Sequence, residues 1–185
     1  MKELVFLLEE ESSKALLESI LPRFIPLSTF HYRFILFEGK QDLQKQVERK
    51  LRGYLNPSAR FIILRDQDKE DCKKIKRTLM TLCSRAGKAD AIVRIACREL
   101  EAFYLADLSA VESGLGLKGV AAKQQIAKFR DPDKLQSPSR ELEKLTSRRY
   151  QKIAGSRAIG PHLDLDNTRS KSFHHLIKSI KKAAL

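Results

Sequence analysis

The sequence contains no tryptophan and little cysteine, and its three cysteines are Cys72, Cys83 and Cys97. They are too far apart along the chain to form a CxxC ligand pair or a disulfide framework. We therefore interpret them as free thiols of a reducing compartment, which predicts a cytoplasmic protein. The first residues, MKELVFLLEEESS, also lack the longer apolar region and the small-residue cleavage site of a secretory signal.

Long hydrophobic runs are absent as well. No stretch approaches the roughly 18 to 20 apolar residues that a membrane-spanning helix requires, so we expect no membrane partner. The sequence has no P-loop of the GxxxxGKS or GxxxxGKT type, which excludes a P-loop ATPase. A GxSxG nucleophile elbow and the local signatures of a cysteine nucleophile are also missing.

Acidic residues are scarce in the last third of the chain. Residues 1–117 carry 20 Lys and Arg against 17 Asp and Glu, whereas residues 118–185 carry 16 against 6. Of the net charge of +13, +10 therefore lies in the C-terminal segment. Such an asymmetry favours a polyanionic partner, because phosphate contacts release counterions, although basic surfaces also serve solubility. We expect nucleic acid to be the partner.

Apolar runs and helical patterns alternate over the first 110 residues. The predicted strands are LVFLL (4–8), YRFILF (32–37), RFIIL (60–64) and AIVRIA (91–96). The predicted helices are 12–21, 40–55, 69–87, 98–108 and, near the end of the chain, 172–185. Alternation of this kind predicts an open, mainly parallel four-stranded α/β sheet flanked by helices.

Residues 111–185 show a weaker pattern than the α/β core predicted for residues 1–110. This segment is punctuated by glycine and proline and has no strong period before its last helix. We predict an irregular, basic extension of helices and loops that packs on the core. With 185 residues and 42% hydrophobic residues, the chain is expected to form one domain overall.

Acidic residues follow two of the predicted strands. Glu9 and Glu10 come directly after the first strand, and Asp66 and Asp68 come after the third. Because sites in open α/β sheets form beyond the carboxyl ends of the strands, these side chains are expected to converge. Carboxylates held together in this way are ligands for a hard cation such as Mg²⁺. The alternative is that Asp66 or Asp68 caps the helix predicted to begin near residue 69.

Two further acids, Glu99 and Glu101, follow the fourth predicted strand. Residues two apart on a helix diverge by roughly 200 degrees, so both cannot point into one site if the helix has already begun. We assign Glu99 to the metal site and retain Glu101 as an alternative. Both could equally be acids at a helix start, which the helix dipole favours.

Several basic residues are candidates for contacts with phosphate groups. His162 could act as a general acid or a phosphate donor, or it could be an ordinary surface histidine. The residues that we assign to nucleic-acid binding are Arg65, Arg98, Arg130, Arg157, His162, Arg169 and Lys171.

The acidic pattern resembles a known arrangement. Glu9 after the first strand and Asp66-Gln67-Asp68 after the third are similar to the Toprim domain of topoisomerases, primases and the overcoming-lysogenization-defect nucleases. More narrowly, nearly the whole chain resembles a bacterial Toprim-like family of unknown function, numbered four-two-seven-six. The segments that carry this resemblance are FLLEEESS, FEGKQDL, LRDQD, VRIACRELEAFYLADL, AKFRDPD and YQKIAGSRAIGPHLD.

The resemblance implies a Toprim-like domain in which Glu9, Asp66 and Asp68 bind Mg²⁺ or Mn²⁺ and assist phosphodiester chemistry. Glu10 stands where the Toprim pattern usually has glycine, so either Glu9 or Glu10 is the functional glutamate. Relatives often act with an ATPase partner in defence against foreign DNA, and a partner ATPase is therefore expected here. The alternative function is a binding module that retains the fold and contacts nucleic acid or a partner protein without catalysis.

Overall fold

Residues 2–26 and 28–185, which the computed structural model describes, contain one sheet of four strands. The strands are β1 (Lys2–Leu8), β2 (Phe30–Leu36), β3 (Ala59–Asp66) and β4 (Ile92–Ala96). They lie in the order β2-β1-β3-β4, and every pairing is parallel. The sheet is open and flanked by helices, which confirms the predicted α/β fold class.

Helices connect successive strands and then continue to the end of the chain. They are α1 (Glu11–Ile20), α2 (Lys40–Arg52), α3 (Cys72–Arg85), α4 (Glu101–Leu105), α5 (Leu108–Leu115), α6 (Pro138–Leu145), α7 (Lys152–Ile159) and α8 (Lys171–Ala183). Short 3-10 turns lie at 21–23, 121–125, 127–129, 132–134 and 160–162. Within the two described ranges, no helix combines the length and the apolar character that crossing a membrane would need.

The two faces of the sheet carry different layers because successive side chains of a strand point to opposite faces. In β1, Val5 and Leu7 pack into a core that α2 and α3 cover. Leu4, Phe6 and Leu8 pack into a larger core with α1 and the helices that follow β4. Both sets of side chains are fully buried, which explains why β1 reads as a continuous apolar run.

The segment after residue 110 completes the larger core. Val111, Leu142, Ile159 and Phe173, from four different helices, are buried in the same cluster as Leu4 of β1. Its helices therefore form the second layer of the domain and cover a face of the sheet that would otherwise be exposed to water.

Two local predictions were wrong. The helix predicted for residues 98–108 begins only at Glu101 and ends at Leu105, because Asp107 caps a new helix by accepting a hydrogen bond from the Ala110 amide (3.1 Å). The segment without a predicted period contains α7, where Gly155 lies directly on the Tyr150 ring. A glycine contact of this kind leaves no trace in hydrophobic periodicity, so the sequence pattern did not predict this helix.

Helix α5 approaches α7 so closely that Gly114 has no room for a side chain. A Cβ atom at Gly114 would lie 2.6 Å from the carbonyl oxygen of Ala158 and 2.7 Å from the Cα of Ile159. Both are main-chain atoms, which cannot rotate away. The contact therefore requires glycine at this position.

We expect Gly114→Ala to lower the free energy of unfolding by about 1–3 kcal/mol through overpacking. In an unconstrained helix, the same change would raise it by about 1 kcal/mol, so the sign of the effect tests the contact. Urea denaturation provides the measurement, with Ser113→Ala, an exposed neighbour on α5, as the control. A Gly114→Ala variant as stable as the wild type would contradict this packing.

Candidate functional site

The carboxyl ends of three adjacent strands bring acidic residues to one edge of the sheet. Glu9 follows β1, Asp66 is the last residue of β3, and Glu101 begins α4 after β4. Because β3 lies between β1 and β4, Asp66 is the central member of this group. Open α/β sheets place their ligand sites at this edge.

Glu9 is buried and attached to β3. Its Oε2 accepts a hydrogen bond from the Asp66 amide (3.2 Å) and lies 3.9 Å from Nε of Arg65. Burial raises the pKa of Glu9, and the negative charge of Asp68 adds to this, while the Asp66 amide opposes the shift. Glu9 is thus a desolvated carboxylate that has only part of the charge compensation it requires.

Asp66 is the most strongly perturbed acid of this edge. Burial raises its pKa well above the ordinary value of 3.8, and the neighbouring charges of Glu101, Glu10 and Glu9 raise it further. A hydrogen bond from the main chain of Leu100 opposes these effects. Glu9, Glu10 and Glu101 each repel the charged form of Asp66. We call these four residues the carboxylate cluster.

Glu101 lies at the back of the carboxylate cluster. Its side chain is buried, and its Oε1 accepts a hydrogen bond from the Tyr150 hydroxyl (2.9 Å). Burial raises the pKa of Glu101, while the charge of Lys152 and the bond from Tyr150 lower it. Glu101 is only an alternative on sequence grounds, because the helical pattern predicts a start at residue 98, three residues before the observed one.

Glu99, which was assigned to the metal site, points in a different direction. Its Oε2 accepts a hydrogen bond from the Ser139 amide (2.7 Å) in the first turn of α6. This bond satisfies one of the free amides at the start of that helix. The structure therefore brings Glu99 to the same edge of the sheet but holds it against α6.

Lys152 provides a positive charge beside the carboxylate cluster. Its Nζ lies 3.2 Å from Oε2 and 3.3 Å from Oε1 of Glu10. Burial opposes the charged form of Lys152, but Glu10, Glu101 and Asp66 outweigh it and raise its pKa. No sequence signal pointed to Lys152, because it begins the unpredicted helix α7.

Asp68 lies on the outer side of the same edge, in a loop held by main-chain contacts. The Asp68 amide donates to the Arg98 carbonyl (2.7 Å), and the Arg98 guanidinium donates to the Asp68 carbonyl (3.1 Å). Both residues have positive φ angles, of 54° and 61°, which are uncommon for residues other than glycine. This reciprocal pair fixes the loop after β3 against the loop after β4.

The side chain of Asp68 forms an ion pair of 2.7 Å with Lys40, which also lies 3.3 Å from Glu70. Neither Asp68 nor Asp66 caps α3. That role belongs to Asp71, whose Oδ1 accepts hydrogen bonds from the amides of Lys73 (2.7 Å) and Lys74 (2.9 Å). The capping alternative for the two aspartates therefore does not account for their position.

A fully assembled metal site is not present in the described part of the chain. No group of three or more His, Cys, Asp or Glu side chains there is arranged to hold a metal ion. The chemistry of the donors nevertheless fits a hard cation, because buried carboxylates that repel one another are stabilised by a divalent charge. Lys152 beside Glu10 and Arg65 beside Glu9 supply part of that charge.

The basic residues assigned to nucleic acid are distributed over different environments. Arg65 is buried and paired with Glu70, whereas Arg98 is half-buried at the edge of the sheet. The others are exposed. They are Arg130, with its guanidinium on the Gln125 carbonyl; Arg157 on α7; His162 in a 3-10 turn; Arg169, which donates to the Ala106 carbonyl; and Lys171 at the start of α8.

Two cavities open beside the acids. One, of about 240 Å³, is lined by Glu101, Tyr150, Lys152 and Arg148 among others. The other, of about 380 Å³, is lined by Lys40, Lys69, Arg98, Asp68, Glu70 and Glu99 and by residues preceding α6. Lys40, Lys69, Arg98, Arg148 and Lys152 thus place positive charge around the acidic edge.

Comparisons with known proteins support the fold. The family model described as "Domain of unknown function (DUF4276)" matches residues 8–181. Among solved structures, the chain is similar to the C-terminal region of the Burkholderia pseudomallei OLD protein, with 16% identity, 98% coverage of both chains and a TM-score of 0.56. A likeness at this identity concerns the fold alone. A search of curated proteins gave no match.

We expect Asp66→Asn to raise the free energy of unfolding at neutral pH when metal is removed by a chelator. The raised pKa means that folded Asp66 keeps a proton that the unfolded chain releases above about its ordinary value of 3.8. Wild-type stability therefore falls as pH rises from that value towards the raised pKa, and this fall is weaker in Asp66→Asn.

Denaturant unfolding from about pH 4 to pH 8 measures this dependence. Asp71→Asn is the control, because the amides of Lys74 and Lys73 lower the pKa of Asp71 and make its charge stabilising above its ordinary value. This control variant is not expected to be more stable than the wild type. Equal pH dependence of stability in the wild type and in Asp66→Asn would show that ionisation of Asp66 does not destabilise the fold.

Proposed function

The chain belongs to the DUF4276 family of domains of unknown function, and from the carboxylate cluster at its strand ends we propose that it is a Toprim-like domain acting on phosphodiester bonds of nucleic acid. The proposed cofactor is Mg²⁺ or Mn²⁺. The single observation that carries the proposal is the burial of Asp66 among like charges. Such burial lowers the stability of the fold, and carboxyl groups with pKa values perturbed in this way cluster at functional sites.

Asp66, Glu9 and Glu10 are the carboxylates that we propose as metal ligands, with Glu101 behind them. The first three repel one another across the ends of β1 and β3, and Glu101 repels Asp66 from the start of α4. A bound divalent ion would polarise a phosphoryl oxygen and lower the pKa of a water molecule at the site. Asp68, on the outer loop beside Lys40, is proposed to complete the site when substrate phosphate displaces that lysine.

The cations that line the two cavities are proposed to hold the nucleic-acid backbone. Lys40 and Arg98 line the larger cavity, and Arg148 and Lys152 line the smaller one. Ammonium and guanidinium groups around an acidic centre offset the repulsion between the carboxylates and an approaching phosphodiester. The arrangement therefore supports binding of a phosphate backbone across the carboxyl edge of the sheet.

A partner ATPase belongs to the same proposal. The sequence contains no P-loop, and we propose that a separate ATPase couples ATP to the reaction. The fold resembles the C-terminal region of an OLD protein, which supports the idea of a domain that acts as one part of a larger system. Defence against foreign DNA is the role that we propose for such a system.

A second candidate function is a binding module without catalysis. It is favoured by the fact that acids of the edge already have internal partners. Glu10 pairs with Lys152, Asp68 with Lys40, and Glu99 accepts from the Ser139 amide. In this alternative, the same cations bind nucleic acid or a partner protein, and the acids only stabilise the fold.

Metal titration separates the two candidates. We expect calorimetry with Mg²⁺ or Mn²⁺ to show binding by the wild type and by the Asp71→Asn control, and no binding by Asp66→Asn/Asp68→Asn. With plasmid DNA, linear DNA and single-stranded RNA as substrates, any cleavage should fall by roughly 100-fold or more in the double variant. Salt-sensitive nucleic-acid binding without metal binding or cleavage, unchanged by the double substitution, would establish the binding module instead.

Lys152→Met is expected to separate metal binding from chemistry. Removal of the ammonium group beside Glu10 removes a competing cation, so affinity for Mg²⁺ should rise while cleavage falls. Lys14→Met, on the exposed side of α1, provides a matched control that removes one positive charge elsewhere. A parallel loss of metal affinity and cleavage in Lys152→Met would contradict the proposed role.

A further inference from the structure

Strand β4 forms one edge of the sheet and pairs only with β3. Its outward main-chain groups are partly occupied, because the Cys97 amide donates to the Ser172 hydroxyl (3.3 Å) and the Val93 carbonyl accepts from the Arg94 guanidinium (3.3 Å). Ile95 lies between these two residues and directs its amide and carbonyl the same way, since alternate residues of a strand face the same neighbour. This residue is where a further strand could pair.

The edge of β4 lies at the bottom of a groove between two helices. Its walls come from the first turns of α3 and α8, and its floor comes from Val93 and Ile95 of β4. The groove has a volume of about 380 Å³. It shares no lining residue with the two cavities beside the carboxylate cluster, so it is separate from the proposed site.

Positive charge surrounds the groove. Lys73 and Lys76 lie on the α3 side, Lys171 lies on the α8 side, and all three are exposed. Arg94 contributes its guanidinium from the strand itself. Lys171, which the sequence analysis assigned to nucleic acid, is thus part of this groove and not of the acidic edge.

The negative groups of the groove are already engaged. Asp133 accepts hydrogen bonds from the Ser170 hydroxyl (2.7 Å) and the Ser172 amide (2.9 Å), and Asp131 pairs with Lys134 (2.8 Å). Burial raises the pKa of the Cys97 thiol to about 11, so this thiol adds no charge at neutral pH. The groove therefore presents a net positive rim above an apolar floor.

We propose that this groove binds an extended acidic segment of a partner protein, which adds to the sheet as a strand beside β4. The main-chain groups of Ile95 pair with the segment, apolar side chains of the segment contact the partly exposed Ile95 side chain, and its carboxylates lie among Lys73, Lys76 and Lys171. Strand addition at a sheet edge is a recurrent mode of peptide recognition.

A peptide fits these features better than a nucleic acid does. A phosphate backbone would use the lysines but would leave the apolar floor and the free main-chain groups without partners. A peptide strand that carries both acidic and apolar residues has groups for all three features, because its main chain can pair with Ile95, its apolar side chains can contact the floor and its carboxylates can reach the lysines on both walls. The inference does not depend on catalysis at the carboxylate cluster.

Fluorescence anisotropy of the full chain with a labelled peptide that contains Glu and Val in mixed order provides the test. The same peptide with Lys in place of Glu and a single-stranded oligothymidylate serve as comparison probes. The test variant is Lys73→Glu/Lys171→Glu, in which both new carboxylates lie in the first turn of a helix and are compatible with its dipole. The matched control is Lys74→Glu/Lys178→Glu, which changes the same charge on the same helices outside the groove.

We expect the acidic peptide to bind with an affinity that falls by about tenfold or more in the test variant and stays unchanged in the control. Bound peptide should also slow hydrogen exchange of the Ile95 amide, which side-chain binding of an anion would not do. The proposal is overturned if the acidic peptide does not bind, if both variants lose affinity equally, or if the oligothymidylate binds in its place with the same dependence on Lys73 and Lys171.

Discussion

The position of β3 between β1 and β4 is the constraint on which the carboxyl edge depends. Parallel pairing aligns Leu8 with Leu64 and Asp66 with Ala96, so the three strands end at nearly the same level. Acids that follow these strands must share a small volume whatever their individual preferences. The raised pKa of Asp66 is a direct result, since Asp66 is buried and has acidic neighbours beyond both adjacent strands.

Residues of the C-terminal part of the chain partly offset the repulsion among these acids. Tyr150 donates to Glu101, and Lys152 pairs with Glu10, from a segment more than 40 residues beyond β4. The same segment also contributes buried residues to the larger core, including Ile159 of α7 and Phe173 of α8. Folding of the sheet and charge balance at its edge are therefore coupled, because the residues that balance the charge are positioned by the helices that cover the sheet.

Stability and function oppose each other at this edge if the proposed metal site is correct. Buried carboxylates that repel one another lower the stability of the folded chain, and a bound divalent ion would restore it. The outer groove at β4 follows a different principle. It is formed by the edge strand β4 and by lysines whose charges remain exposed to solvent. It therefore lowers the stability of the fold little, and it remains accessible to the proposed partner.

The sequence by itself determined the strands, the first three helices and the ends of β1 and β3 where acids gather. These features depend on local periodicity and on apolar runs, which the linear pattern records directly. LVFLL followed by Glu9 and Glu10, and RFIIL followed by Asp66, were sufficient to predict both the sheet and the candidate acids. Membership of the DUF4276 family is likewise carried by the sequence.

Only the tertiary structure decided which acid of the fourth strand end lies beside Asp66. The pattern favoured Glu99, but a turn after β4 delays the helix, so that Glu101 points inwards and Glu99 meets α6. Helix α7 and its Lys152 also depended on tertiary contacts, since the close approach of Gly114 on α5 to Ala158 on α7 has no periodic signal. Local preference fixes where an element lies in the chain, whereas the direction of a buried charge is set by groups that are distant in sequence and adjacent in space.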